Sequence, residues 1–60
     1  MLIKSLRSLK KGTKFYTYGK DDKKIIAIAG TKRGPSREIK LEGRDETFNE
    51  RSDIKVEVVQ

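Results

Sequence analysis

Residues 13–29 read TKFYTYGKDDKKIIAIA and contain two short runs of strand-forming residues around a polar turn. The first six residues, 13–18, alternate between two faces and are mostly β-branched or aromatic, so they predict a strand. Residues 19–22 are typical of a turn, and the isoleucine-rich residues 23–29 are too short for a helix. The stretch therefore predicts a β-hairpin, with a second strand that is apolar on both faces.

The rest of the chain continues this pattern of short strands and turns. Residues 30–36 combine two glycines with a proline and predict a loop, and the alternating residues 37–42 predict a third strand. After a turn at 43–45 come a short extended piece at 47–48, a polar turn at 49–53 and a final strand at 54–58. These elements predict an all-β fold, either a small barrel or a strongly curled antiparallel sheet of about five short strands.

The first twelve residues fit two different structures. Three leucines have the i, i+4 and i+7 spacing of an amphipathic helix. Alternatively, residues 1–5 are extended and residues 8–12 form a tight turn that brings Leu9 into the core. We favour the turn, because Ser8 can cap a short helical turn and Gly12 can adopt the positive φ that ends it.

The chain of 60 residues is long enough for one small domain. A chain of this length buries only about 60% of the surface that it exposes when unfolded. Hydrophobic residues make up 33% and charged residues 40% of the sequence, so the core must be small and the surface polar. We therefore expect a single domain over residues 1–60, and a two-domain enzyme is excluded.

Catalytic and cofactor chemistry has little support in this composition. The sequence lacks cysteine and histidine, which removes disulfides, thiol nucleophiles, imidazole bases and the usual zinc ligands. The loop at 30–36 also lacks the spacing of a phosphate-binding P-loop, since three residues instead of four separate its glycines and Pro35 follows. We therefore expect no enzyme activity, no cofactor and no metal.

Charge is the strongest positive indication of function. Fifteen Lys and Arg against nine Asp and Glu give a formal net charge of +6. Residues 1–37 carry eleven of the basic side chains and only two of the acidic ones. This balance favours a polyanionic partner. The same distribution also permits the acidic second half to pair with the basic first half and neutralise it.

Eight residues are candidates for nucleic-acid contacts. If Phe15 lies in the core, strand alternation puts two tyrosines and a lysine on the opposite face, where they can stack bases and neutralise phosphates. Other basic residues flank the first hairpin turn and the loop at 30–36. The candidates are Lys14, Tyr16, Tyr18, Lys23, Lys24, Lys32, Arg33 and Arg37. The alternative is that a tyrosine covers the rim of the sheet and that the basic residues are merely solvated.

The segment 8–15, together with Thr47-Phe48 and the segment 53–59, resembles small SH3-like barrel proteins of bacterial or phage type. Such proteins have a Leu-x-x-Gly entry into the first strand and a valine-rich closing strand. The resemblance covers most of the chain but concerns turns and core positions. It implies a barrel, a fold that carries nucleic-acid, peptide and assembly functions alike.

The leading hypothesis is a non-catalytic module that binds DNA or RNA with little sequence specificity through the basic, tyrosine-bearing face. The alternative is a protein–protein interaction module or inhibitor, such as a phage or mobile-element product, that docks on an acidic or nucleic-acid-binding host protein. Self-assembly through exposed edge strands is a third interpretation. No apolar run suits an export signal or a membrane span, so we expect a cytoplasmic protein without a membrane partner.

Overall fold

The computed structural model describes residues 1–19 and 21–60, which form six β-strands and one turn of 3₁₀ helix. The strands span Leu2–Ser5 (β1), Lys14–Tyr18 (β2), Lys24–Arg33 (β3), Ser36–Leu41 (β4), Thr47–Arg51 (β5) and Lys55–Val58 (β6). The 3₁₀ turn spans Leu6–Ser8. Within these described ranges there is no α-helix, and the predicted all-β class is confirmed. Lys20, in the predicted turn at 19–22, lies outside the described residues.

The six strands form one antiparallel sheet in the order β1-β6-β2-β3-β4-β5. The sheet does not close into a barrel, since β1 and β5 are its two edges. It curls instead, which is the second of the two predicted architectures. The predicted number of strands, about five, is one short of the six observed.

The predicted hairpin is β2–β3, but its second strand is longer than expected. β3 continues past Ala29 to Arg33 through a β-bulge between Ala29 and Lys32, so only the tip of the predicted loop at 30–36 is a turn. Gly30 makes the bulge possible, since a Cβ there would lie 3.0 Å from the Glu38 carbonyl oxygen. Gly34 has φ +59 at the hairpin tip, a conformation that glycine adopts without strain.

β5 corrects a second prediction. The sequence predicts that only residues 47–48 are extended and that a polar turn follows at 49–53, because Asn and Glu have low strand propensity. The structure has a five-residue strand, all of it exposed, that pairs with β4 from Lys40↔Thr47 to Ser36↔Arg51. Pairing with a neighbouring strand therefore overrides local propensity in this segment.

The favoured prediction for the first twelve residues is confirmed. β1 is extended, the 3₁₀ turn follows, and Leu9 is 3% exposed. Gly12 has φ +94, as the turn requires. Ser8 acts differently from the expected cap, because its hydroxyl donates a hydrogen bond to the Ser5 carbonyl at 2.7 Å.

The core lies on the concave side of the sheet, where the 3₁₀ turn covers one end. It consists of Leu6, Leu9, Phe15, Ala27, Ala29, Ile39 and Val56, with Leu41 and Val58 packed against it. At this end the amides of Leu6 and Arg7 donate to the carbonyls of Ile54 and Ser52, both at 2.8 Å, and the Ser52 amide donates to the Pro35 carbonyl at 2.9 Å. We call this the closed end. The opposite end, which carries the β2–β3 and β4–β5 turns, is called the open end.

Candidate nucleic-acid interface

β2 places three of the predicted site residues on the convex face of the sheet. Phe15 is 1% exposed, so Lys14, Tyr16 and Tyr18 project from the face opposite the core. Tyr18 is 66% exposed, whereas Tyr16 is half-buried. Phe15 therefore faces the core, as the predicted base-stacking surface requires. The rings of Tyr16 and Tyr18 on the opposite face, however, are not equally accessible to solvent.

Tyr16 is covered by Lys24. The Lys24 ammonium lies 4.3 Å from the centroid of the Tyr16 ring and 3.0 Å from the Glu57 carboxylate. The hydrogen bond that Lys24 donates to Glu57 raises the pKa of Lys24 above its ordinary value of 10.5, and partial desolvation opposes the rise. Lys24 is thus charged at neutral pH, but its charge is balanced by Glu57, and its ammonium occupies one face of the ring.

Other predicted cations are balanced in the same way. Lys14 Nζ lies 2.9 Å from the Glu42 carboxylate, and Arg33 Nη2 lies 3.2 Å from that of Glu38. Lys23 forms a longer pair, 3.8 Å, with a carboxylate of its own turn. Exposed pairs of this kind contribute little stability, but they cancel the local positive potential. The convex face therefore follows the alternative in which the two halves of the chain neutralise each other.

Arg37 is not a surface residue, and its assignment to the interface is wrong. Its side chain is 1% exposed. Nε donates to the Gly30 carbonyl at 2.9 Å, and Nη1 donates to the carbonyls of Leu6 at 2.9 Å and Leu9 at 2.7 Å. A further contact to the Arg7 carbonyl is 3.4 Å long. The guanidinium therefore ties β4 to the bulge and to the 3₁₀ turn instead of meeting a ligand. The sequence carried a signal for this, since alternation puts position 37 on the same face as Ile39 and Leu41.

Four exposed cations that form no ion pair among the described residues lie at the closed end. Arg7 and Lys32 line a depression of about 410 Å³ with Gly34, Pro35 and Ser52, and no carboxylate lines it. The neighbouring turn carries Lys10 and Lys11, and the amide of its Gly12 donates to the Ala29 carbonyl of β3. In the described part of the chain none of these four cations has a carboxylate within 4 Å. We call Arg7, Lys10, Lys11 and Lys32 the basic end.

Sequence reasoning missed three of the four residues of the basic end. Arg7, Lys10 and Lys11 belong to a segment that was assigned only a structural role. The basic run of the segment 7–11, which holds three cations and no acid, was the available signal. The buried Arg37 adds a fifth positive charge beneath this surface, and its hydrogen-bond acceptors are carbonyls, which carry no net negative charge.

The eight predicted residues do not form one site. Tyr18, Lys23 and Lys24 lie at the open end, Lys14 and Tyr16 lie on the convex face, and Lys32 and Arg33 lie on the hairpin of the closed end. Arg37 is in the core. Of the eight, only Lys32 belongs to the basic end.

A depression of about 1140 Å³ lies at the open end, and its lining includes residues from both faces of the sheet. The 3₁₀ turn does not extend this far, so apolar side chains of β3, β4 and β5 are left partly exposed. Apolar side chains of the core face, among them Phe48, and charged residues line it together. Its lining includes Tyr18, Ile25, Leu41 and Phe48, with Lys23, Lys24, Arg44, Asp21, Glu42 and Glu50 around them.

Comparisons with protein-family models, curated proteins and solved structures give no match for this chain. No helix in residues 1–19 and 21–60 is long and apolar enough to cross a membrane. Over the same residues, no group of three or more acidic side chains is arranged to hold a metal ion. The surface charge and shape of the described chain are therefore the features that indicate its function.

Proposed function

We propose that the protein is a non-catalytic module that binds nucleic acid with little sequence specificity, and that its main phosphate contacts are at the basic end. The observation that carries the proposal is the group of four unpaired cations at the basic end, two of which, Arg7 and Lys32, line a depression without a carboxylate among its described lining residues. Lys and Arg side chains that meet phosphates release condensed counterions, and this supplies most of the affinity of sequence-tolerant binding.

The convex face is a weaker candidate. A phosphate approaching Lys14 or Lys24 must compete with Glu42 or Glu57, each 3.0 Å or less from its lysine. Among the described residues, Arg7 and Lys32 have no carboxylate within 4 Å to compete with a phosphate. The proposed contact surface therefore moves from the tyrosine-bearing face to the closed end of the sheet.

A single copy is expected to bind weakly. The longest dimension of the protein is 28 Å, which spans about eight base pairs at ~3.4 Å each. Four phosphate contacts predict a slope near −3.6 for log K against log salt on duplex DNA, or a loss of roughly 10²-fold between ~50 and ~200 mM salt. Tight binding would need several copies on one nucleic acid.

Fluorescence anisotropy of a labelled oligonucleotide tests this placement. The double variant Arg7→Gln/Lys32→Gln is compared with Lys40→Gln/Lys55→Gln, which removes two unpaired, exposed cations from the convex face and changes the net charge equally. We expect the first variant to lose roughly half of the salt slope and at least about tenfold in affinity, and the control to lose much less. Equal losses in the two variants would contradict the basic end as the contact surface.

A second candidate function, docking on a protein, is favoured by β5. This edge strand pairs only with β4, and all five of its residues are exposed. The free backbone groups of such an edge can accept a strand from a partner, whether a host protein or a second copy. Binding to a protein that does not weaken as salt rises would support this candidate instead.

A further inference from the structure

β5 is an edge strand with one open side. It pairs only with β4, and all five of its residues are exposed. Hydrogen-bonded and non-hydrogen-bonded pairs alternate along an antiparallel ladder. The Ser52 amide donates to the Pro35 carbonyl, so the residues of β5 that are hydrogen-bonded to β4 are Glu50 and Phe48. The other three residues direct their amides and carbonyls away from β4; they are Thr47, Asn49 and Arg51.

These outward groups are available to a second strand. Among the described residues only one of them has another hydrogen bond, the Arg51 carbonyl, which accepts a long bond of 3.5 Å from the Ile54 amide. The charged residues of β5 are Glu50 and Arg51, so this edge is neutral in a chain of net charge +6. An edge with free backbone groups and no net charge is where a further strand can be added.

We propose that β5 pairs with the β5 strand of a second copy, antiparallel around a two-fold axis at Asn49. This goes beyond the proposed function and does not depend on it. With Asn49 opposite Asn49 and Thr47 opposite Arg51, every outward group of each strand meets a partner in the other. A shift of two residues in either direction leaves the groups of one residue in each strand unpaired, and one of these shifts sets Glu50 directly opposite Glu50.

The same register covers Phe48. This side chain lies on the core face, opposite Ile39, and is 39% exposed. In the dimer, Phe48 of each copy lies opposite Glu50 of the other, in a non-hydrogen-bonded pair whose side chains approach closely. The two Phe48 rings lie on a diagonal of the ladder, a spacing of about 7–8 Å that aromatic side chains bridge. Backbone pairing and burial of Phe48 therefore favour the same register.

Charge opposes the pairing in two ways that can be measured. The two Glu50 carboxylates lie on the other diagonal of this ladder, so Glu50→Gln should tighten the dimer at least about twofold. Two copies of net charge +6 also repel each other, and salt screens this repulsion. The dimer should therefore become tighter as salt rises, whereas nucleic-acid binding becomes weaker. The opposite salt dependences separate the two activities.

Sedimentation equilibrium of the full chain without nucleic acid, at about 200 mM salt, tests the dimer. Asn49→Pro removes an outward amide and leaves the bonds between β5 and β4 in place, since proline is tolerated on the open side of an edge strand. We expect this variant to dimerise at least about tenfold more weakly, because two hydrogen bonds cross the axis at this residue. The matched control Asn49→Ala keeps the amide and should dimerise like the native protein. Circular dichroism verifies that Asn49→Pro is folded.

A cysteine cross-link tests the register independently of the proline variant. The chain has no cysteine, so Asn49→Cys introduces a single thiol. Facing Cα atoms of a hydrogen-bonded pair are about 5.5 Å apart, which is within the range of a disulfide. Mild oxidation should therefore link the two chains of the Asn49→Cys dimer. Thr47→Cys is the control, because Thr47 faces Arg51 in this register and its two copies are too far apart to be linked.

Three results would overturn the proposal. One is a native protein that stays monomeric at its highest soluble concentration; nucleic-acid binding by that monomer would leave the proposed function intact. Another is dimerisation that a folded Asn49→Pro does not weaken, or equal cross-linking of Asn49→Cys and Thr47→Cys. The third is growth beyond a dimer, which would assign β5 to the β1 edge of the next copy, because such a head-to-tail contact does not close at two copies.

Discussion

Arg37 is the single residue on which the curled fold depends most. Its guanidinium donates to three carbonyls in two separate segments, those of Leu6 and Leu9 at the 3₁₀ turn and that of Gly30 in the bulge, at 2.7 to 2.9 Å. Each buried carbonyl left without a donor costs about 1–3 kcal/mol. A domain of this size has only about 3–9 kcal/mol of total stability. Methionine at this position would fill the space but satisfy none of the carbonyls.

We therefore expect Arg37→Met to lower the free energy of unfolding by at least about 3 kcal/mol, measured by urea unfolding followed by circular dichroism. Arg37→Lys keeps the charge but loses the planar fork, and should destabilise the protein by a smaller amount. The control is Arg33→Met, which breaks an exposed ion pair and should cost less than about 1 kcal/mol. An Arg37→Met protein as stable as the native one would contradict the structural role of this residue.

The chemistry of Arg37 explains why composition misleads here. A basic residue next to a glycine- and proline-containing loop is usually solvated. Composition therefore predicts that Arg37 is a surface cation like Lys32 and Arg33. Strand alternation, in contrast, puts position 37 on the same face as Ile39, which is the core face. What the local sequence does not contain is the set of acceptors, because the 3₁₀ turn that supplies two of them lies 28 and 31 residues away.

Among the elements, the β2–β3 hairpin was predictable and β5 was not. The hairpin encodes its own register through alternation and a polar turn, both local properties. β5 is a strand because its backbone pairs with the edge of β4. That edge is available only once β4 has joined the sheet. The bulge in β3 is a similar case. From sequence alone Gly30 predicts a loop, and its actual role depends on the close approach of its backbone to Glu38 in the neighbouring strand.

The ion pair between Lys24 of β3 and Glu57 of β6, which spans β2, makes part of the stability pH-dependent. The pKa of Lys24 is raised in the folded protein, mainly by its hydrogen bond to Glu57. A raised pKa means that the pair stabilises the fold at pH values below 10.5, and that this contribution disappears as the pH rises through the folded-state pKa.

Glu57→Gln should therefore unfold at a lower urea concentration than the native protein near neutral pH. The difference in midpoint should shrink as the pH rises above 10.5, since Lys24 then loses its proton in both proteins. Comparing the two proteins at each pH cancels the titration of the remaining lysines and tyrosines. A difference that stays constant across this range would show that the ion pair does not contribute.

For the whole molecule, the curl of the sheet separates two surfaces with different properties. The closed end has a depression lined by two unpaired cations, the open end has a larger depression of mixed apolar and charged lining, and on the convex face between them Lys14 and Lys24 are paired with carboxylates. Net charge and its uneven distribution along the chain predicted a polyanionic partner but could not place the contact surface. The position of each cation relative to the acidic strands depends on the strand order, which is a property of the complete sheet.

The most direct test of the whole account is the set of backbone amide shifts that change when oligothymidylate is added to the ¹⁵N-labelled protein. The proposed function predicts large changes at the basic end, at Arg7, in the turn 10–12 and at Lys32. Changes confined to the convex face, at Lys14, Tyr16 and Lys24, or no changes in low salt, would contradict it.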